Sequence, residues 1–248
     1  MDRQAYEAMY QLEDRHWWYV GMWHIAAAMI AESYPERRPL EILDAGCGTG
    51  GTTSKLSRFG KVTGCDLSPL AIEFGRRRRL NRLAQASVMR LPYGDERFDL
   101  VTSFEVLYHS QVQDFREALA EVWRVLKPTG RLFLRLPAYD WLRGHHDEVV
   151  HTAHRFSAAE VAQALTSGGW RVEKVSYANT VLFPFALGVR AVQRVLPSWK
   201  DDDIQPNPAW QDKLLAGVLR AESWWLSRHT LPFGLTVLAV AQKERPGG

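Results

Sequence analysis

The sequence predicts an α/β fold, a mostly parallel, doubly wound sheet with helices on both faces. Three observations carry that prediction. Apolar runs of strand length alternate with helix-length segments through most of the 248 residues. The first run leads into the glycine cluster Gly46-Cys47-Gly48-Thr49-Gly50-Gly51, after which a helix opens near Thr52. Asp66 then closes the second run and places a carboxylate at the same end of the sheet. A chain of this length buries one substantial core without a second domain.

Taken in order, strands are expected near 40–45, 61–66, 84–88, 98–104, 130–136, 170–178 and 233–242. Helices read near 51–59, 69–82, 114–126 and 157–168. The last of these opens on Ser157 as N-cap, with Glu160 at the capping-box position. The final run, Phe233 to Val240, is apolar enough to be buried. Two stretches lie outside this sheet, and both are rich in aromatics. Residues 1–38 carry Tyr6, Tyr10, Trp17, Trp18, Tyr19 and Trp23, and residues 179–229 carry Phe183, Phe185, Trp199, Trp210, Trp224 and Trp225. We read them as two parts of one helical lid over a core of residues 39–178, with 230–248 as last strand and tail. Aromatic rings suit a pocket that must exclude water. For any single ring the plainer reading is that it glues a helix to the sheet.

Composition narrows the partners. A net charge of +3 is too small to imply nucleic acid. Arg76 to Arg79 with Arg82 form the one basic run, read as a solvated helix face or a contact for an anionic partner. Two cysteines cannot form a disulfide framework, which points to a reducing, cytoplasmic setting. The start lacks the basic and apolar regions of a signal peptide. The longest uncharged stretch, Val175 to Val189, contains Asn179 and Pro184 and falls short of the roughly 20 apolar residues of a spanning helix. Val181 to Leu196, with Arg190 and Arg194 four apart, reads as a lid helix or a weak membrane-surface contact.

The glycine cluster marks a nucleoside-cofactor site. Glycines let the backbone turn sharply and approach a ligand, and the helix that follows points its N–H groups at the same spot. Asp66 can clamp a ribose diol. Gly46, Gly48 and Gly51 also satisfy the dinucleotide fingerprint, so glycines alone do not choose the cofactor. Asp44, two residues before the first glycine, favours S-adenosylmethionine. A carboxylate there can accept from an amino-acid end and would repel a pyrophosphate.

Further motifs follow in order: Leu91-Pro92-Tyr93, Phe98-Asp99-Leu100-Val101, His109, and Glu121-Val122-Trp123-Arg124-Val125-Leu126-Lys127-Pro128-Thr129-Gly130. With them, residues 40–178 resemble the class I S-adenosylmethionine-dependent methyltransferases. The resemblance implies a seven-stranded sheet whose last strand inserts antiparallel. It implies a cofactor bound by Asp44, Gly46, Cys47, Gly48, Gly50, Asp66, Leu67, Ser87, Val88, Met89, Phe104 and Glu105, with Tyr10 and Trp18 reaching in from the N-terminal segment. Ser87 stands where the family usually has an acid for the adenine amino group. A hydroxyl accepts more weakly, and the Val88 N–H can serve instead. Thr129 replaces the first glycine of the family's turn, so positive φ is expected only at Gly130. His-Trp-Trp near the start resembles a bacterial subgroup of mostly unassigned substrate, in which an arginine often stands where this chain has Met22.

Methyl transfer from a sulfonium needs chiefly alignment and desolvation, with a general base only for a protonated nucleophile. His109 is the first candidate base, beside a packing role under the cofactor. His146, with Asp147 or Glu148, is the second. Its cluster, His145 to His154, also reads as a structural network or a metal site. The expected acceptor is a largely apolar small molecule. The alternatives left open are an RNA methylase, a nicotinamide enzyme and a cofactor-binding partner protein without turnover.

Overall fold

A computed structural model describes residues 2–36, 38–144, 147, 152–195 and 207–244. Seven strands, β1 (Leu40–Ala45), β2 (Gly60–Asp66), β3 (Leu83–Gln85), β4 (Phe98–Phe104), β5 (Leu126–Pro137), β6 (Trp170–Ala178) and β7 (Thr236–Lys243), form one sheet. Their order is β3-β2-β1-β4-β5-β7-β6. Pairing is parallel from β3 through β5, whereas β7 runs antiparallel to both β5 and β6. The order reverses between β1 and β4. A crevice opens at such a switch point, and ligands of open α/β sheets bind there.

Alternation along each strand sends side chains to two cores. Leu43, Val101, Leu132, Leu134, Val237 and Ala239 face one side, against α5 (Phe115–Val125) and α6 (Ala158–Ser167). Ile42, Leu100, Phe133, Leu238 and Val240 face the other. That second face is covered by α2 (Trp17–Ser33), through Met22, Ile25, Met29 and Ile30, and by Leu219 and Leu226 of α8 (Ala209–Arg228). The sequence of α2 explains its place, because a helix apolar all round must be buried on more than one side. Each of Ile25 and Ile30, fully removed from water, contributes roughly 1.5–3 kcal/mol.

The two segments read as one lid do meet, since α2 and α8 pack on each other and on the sheet. They form a layer of the domain. Among the described residues, α1 (Arg3–Leu12) and the joint into α2 reach the glycine loop through Met9 and Glu13, and the loop's helix is α3 (Gly51–Leu56). The remaining helix of the insertion is α7 (Phe183–Val195). The side chains of Arg190 and Arg194 lie outside the described residues, as does Trp199.

Two expectations are corrected. The helix after β2, α4 (Pro69–Arg77), stops five residues before the expected end at 82. Arg79 adopts φ 63 there, and the Leu80 N–H closes on the Gly75 carbonyl at 3.2 Å, a left-handed helix stop. In the turn before β5's main run, the positive φ falls on Thr129 (68°) and not on Gly130. Gly130 is required by space, since a Cβ there would sit 2.9 Å from the Lys127 carbonyl oxygen and 3.2 Å from that of Asp99. Asp99, of the Phe-Asp-Leu-Val motif, anchors the opposite end of β4. It accepts from Arg38 (2.9 Å), Lys127 (3.0 Å) and the Glu41 N–H (2.9 Å).

Gly21 lets α2 approach α8. A Cβ at this position would lie 2.4 Å from Leu219 Cδ1 and 2.6 Å from Leu219 Cβ. Overpacking costs typically 1–3 kcal/mol, more than the few tenths that valine gains over glycine in helix propensity. Gly21→Val should therefore lower stability by about 1–3 kcal/mol, measured by urea denaturation; an unchanged midpoint would mean that the two helices are not in close contact.

Candidate functional site

The glycine loop is a tight backbone cradle. Gly46, Gly48 and Gly50 adopt φ of 89°, 52° and 88°, a region that side chains disfavour. A Cβ on Gly46 would also strike Val106, 2.1 Å away. The loop is tied to β2 by the N–H groups of Gly46 and Cys47, which donate to the Cys65 carbonyl at 2.8 and 2.9 Å. Asp66 accepts from the Gly48 N–H and the Ser68 N–H, both at 2.9 Å. Each carboxylate oxygen thus keeps lone-pair capacity toward the crevice. Burial raises the Asp66 carboxyl, and those backbone donors oppose the rise. Cys47 and Cys65 are buried free thiols.

Asp44 sits beneath the loop. It is 2 % exposed, and its oxygens accept from the hydroxyls of Thr53 (2.6 Å) and Thr102 (2.9 Å). Read from the sequence as a contact to the cofactor's amino-acid end, this carboxylate holds β1, α3 and β4 together from below. Burial pushes its pKa up to about 6.

Glu13 was missed by the sequence reading. Its carboxylate lies at the start of α3, accepting from the Gly51 N–H at 3.0 Å and from the Thr49 hydroxyl. Arg78 pairs with Glu13 at 2.8 Å and with Asp14 at 2.7 Å. Lys55 donates to the Glu13 carbonyl at 2.9 Å. The Tyr10 ring lies over the Arg78 guanidinium (4.6 Å) and against Phe74 (5.4 Å). Met9 Sδ lies 3.5 Å from where a Gly48 Cβ would stand. Of the arginine run, Arg77, Arg78 and Arg82 face acids of the fold, while Arg76 and Arg79 are exposed. Arg77 pairs with Glu73 (2.8 Å) and Glu7 (3.6 Å), and Arg82 faces Glu41 at 3.7 Å.

Across the crevice, β4 ends at Phe104 and Glu105 takes φ 59. Glu105, half-buried, pairs with the buried Arg135 of β5 at 3.0 Å. The Arg135 guanidinium lies between the rings of Trp18 (5.0 Å) and Phe104 (4.8 Å). Glu13, Tyr19, Trp23, Thr52, Phe104 and Arg135 line a small pocket here. His109 Nε2 is 3.2 Å from the Glu105 carbonyl oxygen. Ser87 Oγ accepts from the Met89 N–H at 3.2 Å, Val88 is buried and Leu67 is exposed.

Residues 43–134 match the family described as Methyltransferase domain. That stretch is a methyltransferase domain. The chain is 36 % identical over 140 residues to a demethylmenaquinone methyltransferase of Symbiobacterium thermophilum, covering 52 % of this chain and 53 % of that protein. It is 32 % identical over 164 residues to a malonyl-[acyl-carrier protein] O-methyltransferase of Pseudescherichia vulneris, covering 62 % and 64 %. The chain spans about half the length of the curated relatives it matches. Among solved structures, one chain in the complex of the Haloferax volcanii Trm112 methyltransferase activator with a methyltransferase superposes with TM-score 0.64 at 23 % identity, covering 99 % and 97 %. The Burkholderia thailandensis 1,6-didemethyltoxoflavin-N1-methyltransferase superposes at 0.53 and 19 %, covering 90 % and 79 %. These likenesses establish the seven-stranded methyltransferase fold.

The domain's residues fit its donor. Three glycines in left-handed backbone form the turn, where Cβ atoms on Gly46 and Gly50 would strike Val106 and Leu80, and Asp66 stands one strand away with acceptor capacity for a diol. The second catalytic candidate, His146, lies outside the described residues together with His145, Glu148 and His151. Asp147 is described, and its carboxylate is held by Arg155. Burial would raise its carboxyl, but the Arg155 fork, at 2.8 and 3.0 Å, and the Gly144 N–H hold it below the ordinary value. His154 faces Asp140 at 3.0 Å.

The pH response of Asp44 follows from its burial. Its folded pKa, about 6, lies above the ordinary 3.8, so the folded state binds the proton more tightly. Stability from this group is present below the ordinary value and is lost as pH rises through about 6. Asp44→Asn cannot ionise. The stability of the parent relative to this variant should fall by on the order of 2 kcal/mol between pH 4 and pH 7. Chemical denaturation of both proteins at each pH checks this, and parallel profiles would contradict it.

Proposed function

We propose that this chain transfers the methyl group of S-adenosylmethionine to an O, N or C atom of a largely apolar small molecule. One observation carries the reading. The carboxyl end of the sheet that carries the glycine loop and Asp66 also carries a cluster of rings. At the carboxyl ends of β5 and β6, Tyr139 stacks on Tyr177 (5.0 Å) and Trp141 (5.4 Å), and Phe183 meets Tyr139 (5.9 Å) and Phe233 (5.4 Å). Such a cluster favours an apolar acceptor over a charged one. The names of the relatives include a demethylmenaquinone methyltransferase, a cycloartenol-C-24-methyltransferase and a malonyl-[acyl-carrier protein] O-methyltransferase, which supports that class.

When bound, the donor supplies an already activated methyl group, so the chain's part is to align, desolvate and handle one proton. Gly46, Cys47, Gly48 and Gly50 would support the donor along the loop, Asp66 its ribose, and Leu67, Ser87, Val88 and Met89 its base. Tyr10 and Trp18, on α1 and α2, would close over it as a lid. Arg135 and Glu105 together match a carboxylate and an ammonium, so the pocket beside Phe104 suits the donor's amino-acid end. His109 is the proposed base. An Nε2–H given to the Glu105 carbonyl selects the tautomer whose basic lone pair is on Nδ1. His146 carries no part of this proposal.

Neither the RNA reading nor the nicotinamide reading gains an observation. Arg77, Arg78 and Arg82 face carboxylates of the fold, and the loop sits over a buried carboxylate where a pyrophosphate would have to bind.

Calorimetric titration tests the donor. S-adenosylmethionine and S-adenosylhomocysteine should bind the parent at micromolar levels and lose at least about tenfold with Asp66→Ala, as expected for hydrogen bonds to a charged group. Binding of NADH alone would refute the proposal. The amino-acid pocket has its own test. Arg135→Met combined with Glu105→Gln leaves no buried charge unpaired. It should weaken S-adenosylhomocysteine by about ten- to a hundredfold and leave 5′-methylthioadenosine, which lacks the amino-acid end, unaffected. Equal losses for both ligands would remove Arg135 and Glu105 from this role. His109→Ala should keep donor affinity and lower turnover by about 10²-fold if the acceptor is protonated.

A further inference from the structure

The helix α8 sorts its charges by face. Both of its acids turn inward. Asp212 accepts from the Trp17 N–H at 3.1 Å, and Glu222 is buried, accepting from the N–H groups of Asn179 and Thr180. Its three bases, Lys213, Arg220 and Arg228, are all exposed. Beside them runs an exposed stripe, Trp210, Leu214, Gly217, Ala221 and Trp224, at the i, i+4, i+7, i+11, i+14 spacing that keeps residues on one face. Trp210 is 68 % exposed, Leu214 60 % and Trp224 65 %, with Trp225 adjoining at 45 %. Leu219 and Leu226, on the opposite face, already fill the core. The outer stripe therefore adds nothing to packing and costs solubility. Contiguous exposed apolar surface of this kind marks an interaction site.

We infer that this face of α8 seats on a membrane surface bearing anionic lipids. Indole rings flanked by Lys and Arg are the side chains of an interfacial helix: the rings enter the headgroup boundary and the cations meet lipid phosphates. Arg228 lies over the Trp224 ring at 5.5 Å, so its guanidinium and that indole present one amphipathic unit. No described helix is long and apolar enough to cross a bilayer, so α8 lies along the surface. A second copy of the chain fits less well. Pairing two such faces about a dyad would bring the Lys213, Arg220 and Arg228 rows together with no exposed α8 carboxylate to meet them. A convex ridge of one helix also offers no groove for a peptide, whereas a lipid surface requires none. The inference holds whatever the methyl acceptor is.

Flotation of the full chain with vesicles tests it, comparing phosphatidylcholine alone with phosphatidylcholine containing about one-third phosphatidylglycerol. The parent should float with the anionic vesicles, with a blue shift of tryptophan emission, and at least about tenfold less with neutral ones. Trp210→Ser with Trp224→Ser, and separately Lys213→Glu with Arg220→Glu, change only exposed positions. Each pair should cut binding by about tenfold or more while the far-ultraviolet circular dichroism stays that of the parent. Absence of binding by the parent, or binding that either pair leaves unchanged, overturns the inference. So does a dimer in light scattering that the tryptophan pair converts to monomer, because that result gives the face to a second copy.

Discussion

Removing a carboxylate from water is expensive, and Asp44 is removed from it with two hydroxyl donors as compensation. The geometry of the site depends on that arrangement. One donor comes from α3 and the other from β4, so the carboxylate fixes the helix start, the glycine turn and the switch point relative to one another. A neutral side chain of the same size would fill the space without imposing two directions. The cost, visible as a raised pKa, is offset where Thr53 and Thr102 stand in register under the loop. Cofactor binding then starts from a cradle already in shape.

A second layer of electrostatics closes the site from the N-terminal side. Glu13 occupies the positive end of α3, where an anion is favoured, and Arg78 neutralises it from the end of α4. The same arginine pairs with Asp14 and lies against Tyr10. Arg3 reaches Glu73 at 2.8 Å on the far end of α1. The arm is thus attached largely by charge, plus the contact of Tyr6 and Tyr10 with Phe74. The layer of α2 and α8 is attached by apolar burial. The two attachments differ in their response to salt, which screens exposed pairs such as Arg3 with Glu73 and leaves buried leucines unaffected.

Much of this was legible in the sequence where local pattern and tertiary role coincide. The bounds of β1, β4 and β6 could be read directly, because each holds its apolar residues at strand spacing and is closed by a glycine, an acid or an asparagine. The antiparallel β7 came from resemblance. Where backbone conformation decided, the reading failed. Nothing in four consecutive arginines announces that Arg79 turns left-handed, and Thr129 accepted a φ that composition assigned to its neighbour. Glu13 was invisible for a different reason: its partners Thr49, Gly51 and Arg78 are 36, 38 and 65 residues away. The clue available was a carboxylate three residues ahead of His16-Trp17-Trp18. The aromatics of residues 1–38 were noticed, but composition could not say which rings of α2 cover the sheet and which approach the crevice.

The placement of β7 has a consequence for synthesis. It follows the other six strands in the chain, yet it lies between β5 and β6, pairing with both. Until residues 236–243 emerge, those two strands have no partner on the sides that β7 will fill. Two long rows of open N–H and C=O groups then face solvent or a chaperone, a condition that invites pairing with the wrong chain. The nascent chain can assemble β1 through β4 early, but the sheet becomes continuous only in a final step with high sequence separation. Slowing the ribosome late in the message would lengthen that exposure, and truncation just before Thr236 would make it permanent.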